Sequence, residues 1–107
     1  MATTRAVRGR DSFAALSRHG RRVREGPLTV VHLPTDAEAR VAYAVGRKVG
    51  PAVVRNRLRR RLRAAWRELS PPDGDHLVIA APDAASLSFS ELRSLLERAL
   101  ARREPVS

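Results

Sequence analysis

At 107 residues the chain is the size of one domain, and its 43% apolar content allows a packed core, unlike a disordered basic tail. Its formal charge of +10 comes from 20 arginines and one lysine against 11 acids, and the absence of cysteine excludes disulfides, thiolate chemistry and cysteine-based zinc sites. No apolar run approaches the roughly 20 residues of a membrane helix and no hydrophobic signal core opens the chain, so the expected address is the cytoplasm and no membrane partner is expected.

The first ten residues are polar and basic and read as an arm. Asp11 or Ser12 is placed to cap a first helix to about Arg18, with Phe13 and Leu16 on one face and Gly20 as its stop. Arg21 to Glu25 is a candidate edge strand, broken by Gly26-Pro27. Leu28 to Leu33 (LTVVHL) is β-branched and predicts a strand. After a polar turn, Arg40 to Val45 alternates Val41, Tyr43 and Val45 against Ala42 and Ala44, which predicts another. Gly46 to Pro51 is a basic loop. A second helix follows from about Ala52 to Leu69, and Pro71-Pro72-Asp73-Gly74 breaks the chain after it. His76 to Ala81 is a largely apolar run, as expected of a strand covered on both faces. Ser88 with Glu91 three residues on forms a capping box for a last helix to about Arg103, which Pro105 ends. The order predicts an α+β domain over residues 1–107: a two-layer sandwich of about four strands in a small sheet against three helices. Residues 1–8 and 104–107 are expected to be flexible.

Charge is concentrated on the second helix. Between Arg40 and Arg67 lie ten basic residues and no acidic one, and seven of them are arginines from Arg55 onward. Leu58, Leu62, Ala65, Trp66 and Leu69 fall on one apolar stripe. At 100° per residue, Asn56, Arg60, Arg63 and Arg67 then lie on the opposite side, with Arg57 and Arg59 flanking them. Like charges at i and i+4 repel by a few tenths of a kcal/mol per pair. An ordinary solvated face relieves this by mixing signs, whereas here no glutamate intervenes before Glu68. An external polyanion relieves it instead, and arginine forks suit phosphate. A membrane-surface helix is excluded because the domain needs the apolar stripe for its core. A DNA-reading helix-turn-helix is excluded because strands precede the helix, and DNA is not an expected partner.

Trp66 and Phe89 lie on core stripes. Phe13 is core by default, yet an aromatic beside an open sheet is also able to stack an unpaired base. Tyr43 has no aromatic neighbour at the spacing of an RNA-recognition-motif sheet. His19, His32 and His76 are scattered without metal-ligand spacing, Asp73 and Asp75 read as turn-shaping residues, and no phosphate loop or nucleophile elbow is present. A binder is expected, not a catalyst.

The segment RKVGPAVVRNRLRRRLRAAWRE, Arg47 to Glu68, resembles the signature of the protein subunit of bacterial ribonuclease P. DSFAALSRHG resembles that family's first helix, and GDHLVIAAPDAASLSFSELRSLLERAL its last strand, loop and helix, so the likeness spans roughly residues 8 to 103. The resemblance implies the order α-β-β-β-α-β-α, with a left-handed crossover through the arginine helix, against the usual handedness. It implies a noncatalytic subunit that binds a catalytic RNA, whose Mg²⁺ the RNA itself holds, and the 5′ leader of precursor tRNA. The positions matching the family's basic motif are Arg47, Lys48, Arg55, Asn56, Arg57, Arg59, Arg60 and Arg63; Phe13 matches its leader cleft. The chain departs from the family at Ser17 and Val31, where aromatics are common, and at Pro51, where asparagine is usual. A ribosomal or RNA-chaperone protein that only packs structural RNA, with no role in cleavage, and a self-sufficient nuclease are the rival readings.

Overall fold

The computed structural model describes residues 5–102. In chain order it contains β1 (Arg5–Ala6), α1 (Arg10–His19), β2 (Arg21–Glu25), β3 (Leu28–Leu33), β4 (Arg40–Val45), α2 (Ala52–Arg67), β5 (Asp75–Ala80) and α3 (Phe89–Arg102), with short 3-10 turns at Arg47–Val49 and Pro82–Ser86. The strands form one mixed sheet in the order β1-β4-β5-β3-β2. β4 and β5 are parallel neighbours joined through α2, and β3 pairs antiparallel with both β5 and β2. The expected α+β sandwich is therefore present, with five strands instead of about four. The extra strand lies in the stretch read as an arm: Arg5 and Ala6 pair with Arg40 and Val41 of β4. Two residues carry too little periodicity to register as a strand. The expectation of flexible ends otherwise falls on residues 1–4 and 104–107, outside the described residues.

Alternation sorts the sheet into two faces. Val30, Val41, Val45 and Val78 point to α2 and α3 and pack with Leu58, Leu62, Trp66, Leu92 and Leu96 in the main core. Val31 points the other way and packs with Leu16 of α1 and Val7, bordered by Leu33, Ala42, Leu77 and Ile79. The strand read as doubly covered, β5, has helices on both faces as expected.

Several local expectations need correction. The first helix begins at Arg10 with Gly9 as its N-cap, not Asp11 or Ser12; no side chain caps it. Ser12 instead accepts a hydrogen bond from Arg40 Nη2 at 3.2 Å, tying α1 to β4. Asp75 is not a turn residue. It opens β5, is 4% exposed, and takes both its hydrogen bonds from Arg40, Nε to Oδ1 and Nη2 to Oδ2, each 2.7 Å. The pair joins two parallel strands side by side, and both oxygens of a nearly buried carboxylate are thereby satisfied. Nor are the histidines all scattered: His32 and His76 are buried and stacked, with centroids 4.4 Å apart. His32 Nε2 donates to Asp73 O at 3.0 Å and His76 Nδ1 donates to Arg40 O at 3.2 Å, because a carbonyl only accepts. Trp66 meets His76 edge-on at 5.1 Å and so seats α2 on the sheet.

The Ser88–Glu91 capping box forms as read: Glu91 N–H donates to Ser88 Oγ, and Ser88 N–H to Glu91 Oε1. The Ser88 backbone N–H, then its side chain, hold the Glu91 carboxyl below its usual range. Gly74 is required by space as well as conformation. Its φ is +114°, and a Cβ there would lie 2.3 Å from Leu33 O. It accepts from Arg40 N–H and donates to Ala37 O, which aligns the start of β4 with that of β5. Gly20 has an ordinary φ of −69°, but a Cβ there would sit 2.4 Å from both Leu16 O and Val31 Cγ1, so glycine lets α1 end against β3.

Candidate nucleic-acid interface

The sequence of α2 builds two surfaces at once. Leu58, Leu62, Ala65 and Trp66 are buried against the sheet and α3, while Asn56, Arg57, Arg60, Arg63 and Arg67 are exposed. No acidic residue stands in its first turn, and Pro51 at the N-cap offers no side-chain acceptor. The positive end of the helix dipole thus adds to the arginine charge.

The arginines are not equivalent. Arg55 Nε donates to Gly50 O at 3.1 Å and fastens the basic loop to the helix. Arg59 Nη2 donates to Val45 O and Nη1 to Asn56 Oδ1, both at 3.3 Å. Arg61, never proposed as a contact, donates to Leu87 O at 3.2 Å. These three are partly buried and spend donors on the fold. By contrast Arg57, Arg60, Arg63 and Arg67 make no ion pair or side-chain hydrogen bond with other described residues, and neither do the exposed Arg47 and Lys48 of the preceding turn. Glutamate relief is confined to the far end, where Glu68 accepts from Arg93 Nε of α3 at 2.8 Å. Four helical arginines therefore keep full donor forks for an outside anion.

Two hollows border this strip. An outer groove of about 460 Å³ is lined by Val53, Asn56, Arg59, Arg60 and Arg63. Val53 is 68% exposed, against 39% for Phe13, the other exposed large apolar side chain among the described residues. Sequence reasoning passed over it, although its position off the core stripe was the available signal. The second hollow, about 290 Å³, lies where α2 meets the β1–β4 edge and includes Tyr43, Arg59, Arg63, Trp66 and Arg67. Arg63 and Arg67 thus stand at the flank of the helix beside the sheet, not squarely opposite the core as helical phase alone suggested.

Burial pushes the Tyr43 hydroxyl up to about 12, with Arg63 and then Arg67 pulling the other way. Tyr43 is the chain's single tyrosine, so its ionisation is directly readable by ultraviolet difference absorbance. The expected midpoint is about 12 in the folded protein, against about 10 after denaturation. A raised acid favours its neutral form. Its contribution to stability is complete below about pH 10 and is lost as pH rises through about 12. A folded-state midpoint near 10 would show that this hydroxyl is solvated.

Phe13 is elsewhere. It lies on α1, 39% exposed, on the side of the sheet away from α2 and α3. The structure brings together Asn56, Arg59, Arg60 and Arg63, places Arg67 on the adjoining flank, and leaves Phe13 on α1, the helix that packs on the opposite sheet face. Among the described residues no group of three or more His, Cys, Asp or Glu side chains is able to hold a metal ion, and no helix is long and apolar enough to cross a membrane.

A family model described as Ribonuclease P matches residues 1–104. The ribonuclease P protein component of Thermus scotoductus is 45% identical over 95 residues, covering 89% of this chain and 57% of that protein. The protein of the same name in Acidothermus cellulolyticus is 44% identical over 103 residues, covering 90% of this chain and 85% of that one. The chain spans only 57% and 64% of the length of the Thermus scotoductus and Thermus oshimai proteins. Among solved structures, the RNase P protein of Thermotoga maritima superposes with a TM-score of 0.82 at 26% identity, covering 94% of this chain and 98% of that one. The RNase P protein of Staphylococcus aureus shares the fold with a TM-score of 0.82 at 21% identity, covering 97% of each chain.

Proposed function

This chain belongs to the ribonuclease P protein family, and from that premise we propose that it is the noncatalytic, RNA-binding subunit of a ribonucleoprotein that removes the 5′ leader from precursor tRNA. The observation that carries this reading is the row of exposed arginines on α2 without ion-pair or side-chain hydrogen-bond partners among the described residues. They supply cation density at fixed spacing on a helix whose other face is locked into the core. Where two RNAs meet, such a surface lowers the repulsion between their phosphates. The reaction then needs less Mg²⁺, which the RNA holds. The sheet face beside Phe13, floored by Leu77 and Ile79, receives the leader. With Ser17 on α1 and a fully buried Val31 on β3, it lacks the aromatic stacking usual in the family, and the partly exposed Leu77 and Ile79 offer aliphatic contact instead. The expected place of work is the cytoplasm.

One assay separates this reading from its rivals. Precursor tRNA is incubated with the protein alone, with the ribozyme RNA alone at low Mg²⁺, and with both. Cleavage at the mature 5′ end only in the combined reaction is the expected result. Cleavage by protein alone would identify a self-sufficient nuclease. RNA binding without any stimulation of cleavage would identify a packing protein.

A further inference from the structure

We propose that the cavity between α2 and the β1–β4 edge receives a single unstacked nucleotide, its base inside against Trp66 and Tyr43 and its phosphate on Arg59, Arg63 and Arg67. Three independent features define the ligand. The first is charge. Three arginines at i, i+4 and i+8 border the cavity, and no acidic side chain lines it. An anion is required, and forked donors suit a phosphate.

The second is the lining. Ala6, Val7, Val41 and Ala42 are apolar, and the walls other than these and the arginines are Tyr43 and Trp66. A bare phosphate would leave that surface unused, whereas a flat ring fills it. At about 290 Å³ the space is at the lower limit of small-ligand pockets, which suits one nucleotide unit and not two.

The third is unsatisfied polarity. The Trp66 indole N–H, on a residue only 1% exposed, and the buried Tyr43 hydroxyl have no hydrogen-bond partner among the described residues. A native interior rarely tolerates this. Burial holds the Tyr43 proton on, so the hydroxyl remains a donor at any ordinary pH. A nucleobase carries in-plane oxygen and nitrogen acceptors, and a small outward turn of these two side chains, both of which line the cavity, would bring the donors to them. Hydrocarbon anions lack those acceptors, and sugar phosphates lack the ring face.

Arg59 and Arg63 border both this cavity and the outer groove. An RNA strand lying along α2 is therefore led directly to the opening. That choice of source rests on the function proposed above; the pocket's affinity for the nucleotide unit does not. Trp66 is the chain's single tryptophan, so its indole N–H is a lone NMR signal inside the site. The full-length protein is titrated with AMP, with UMP, with inorganic phosphate and with a single-stranded RNA pentamer. Saturable displacement of the indole signal by the mononucleotides, at least tenfold tighter than by inorganic phosphate, is expected. The pentamer is expected to displace it at least tenfold tighter again, because its other phosphates lie on the strip; equal affinity of AMP and pentamer would overturn RNA as the source. Arg67→Glu is expected to weaken mononucleotide binding at least tenfold and Tyr43→Phe severalfold. Arg18→Glu, the same charge change on α1, changes it less than twofold. An indole signal that no nucleotide moves, or that phosphate moves equally, overturns the site. Either failure leaves the leader-cleavage assay unaffected, so the two readings fall separately.

Discussion

Replacing Arg60 and Arg63 together by alanine is expected to weaken binding to the ribozyme RNA about a hundredfold at moderate salt. The figure follows from losing two charged contacts worth on the order of 1.5 kcal/mol each. The plot of log affinity against log salt should flatten by about 1.4–1.8, since each lost phosphate contact removes about 0.7–0.9 from the slope. These two positions are the informative ones. Both are exposed and neither bonds elsewhere among the described residues, whereas Arg55 and Arg59 also hold Gly50 O and Val45 O. Alanine at 55 or 59 would mix lost RNA contact with a loosened loop. The double variant should keep its melting temperature or gain slightly, because relief of like charge on the helix is worth a few tenths of a kcal/mol per pair. Unchanged affinity with an unchanged salt slope would remove the strip from the RNA interface.

How much of this was legible in the sequence depends on the scale of the signal. Helical period and charge lie within one turn of each other on α2, so the buried stripe and the exposed arginines could both be read from spacing. The strands β3, β4 and β5 were visible through β-branched alternation. What escaped were features made by distant residues. Asp75 looked like a turn residue until β5 brought it beside Arg40, 35 positions away. His32 and His76 looked unrelated until the antiparallel register of β3 on β5 set them opposite each other. The strand at Arg5–Ala6 exists because β4 offers a free edge, not because two residues prefer it. The same holds for the site. Asn56 and its flanking arginines share one helix and were found together, while the cavity of Tyr43 and Trp66 needs the β1–β4 edge to close it.

Trp66→Ala is expected to cost about 3–5 kcal/mol, the range for removing a large aromatic from a packed core. Trp66 is 1% exposed, packs in the main core and meets His76 edge-on, so the void left behind lies under α2 where the helix is seated on the sheet. For a domain of this size each kcal/mol lowers the melting temperature by about 4–8 °C, so a fall of roughly 12–40 °C should appear in a thermal scan. Set beside the Arg60 and Arg63 variant, the result tests whether one helix divides its labour by face. The core face should govern stability, and apart from the single base contact proposed at Trp66 its loss should lower RNA affinity only as the folded fraction falls. The exposed face should govern affinity and salt slope with little effect on folding. If Trp66→Ala, assayed well below its melting temperature, keeps the salt slope of ribozyme binding while the arginine variant does not, stability and phosphate contact are divided between the two faces. That separation is what allows an unrelieved arginine row to persist: its repulsion falls on a surface that the fold does not use, and it is relieved when RNA is bound.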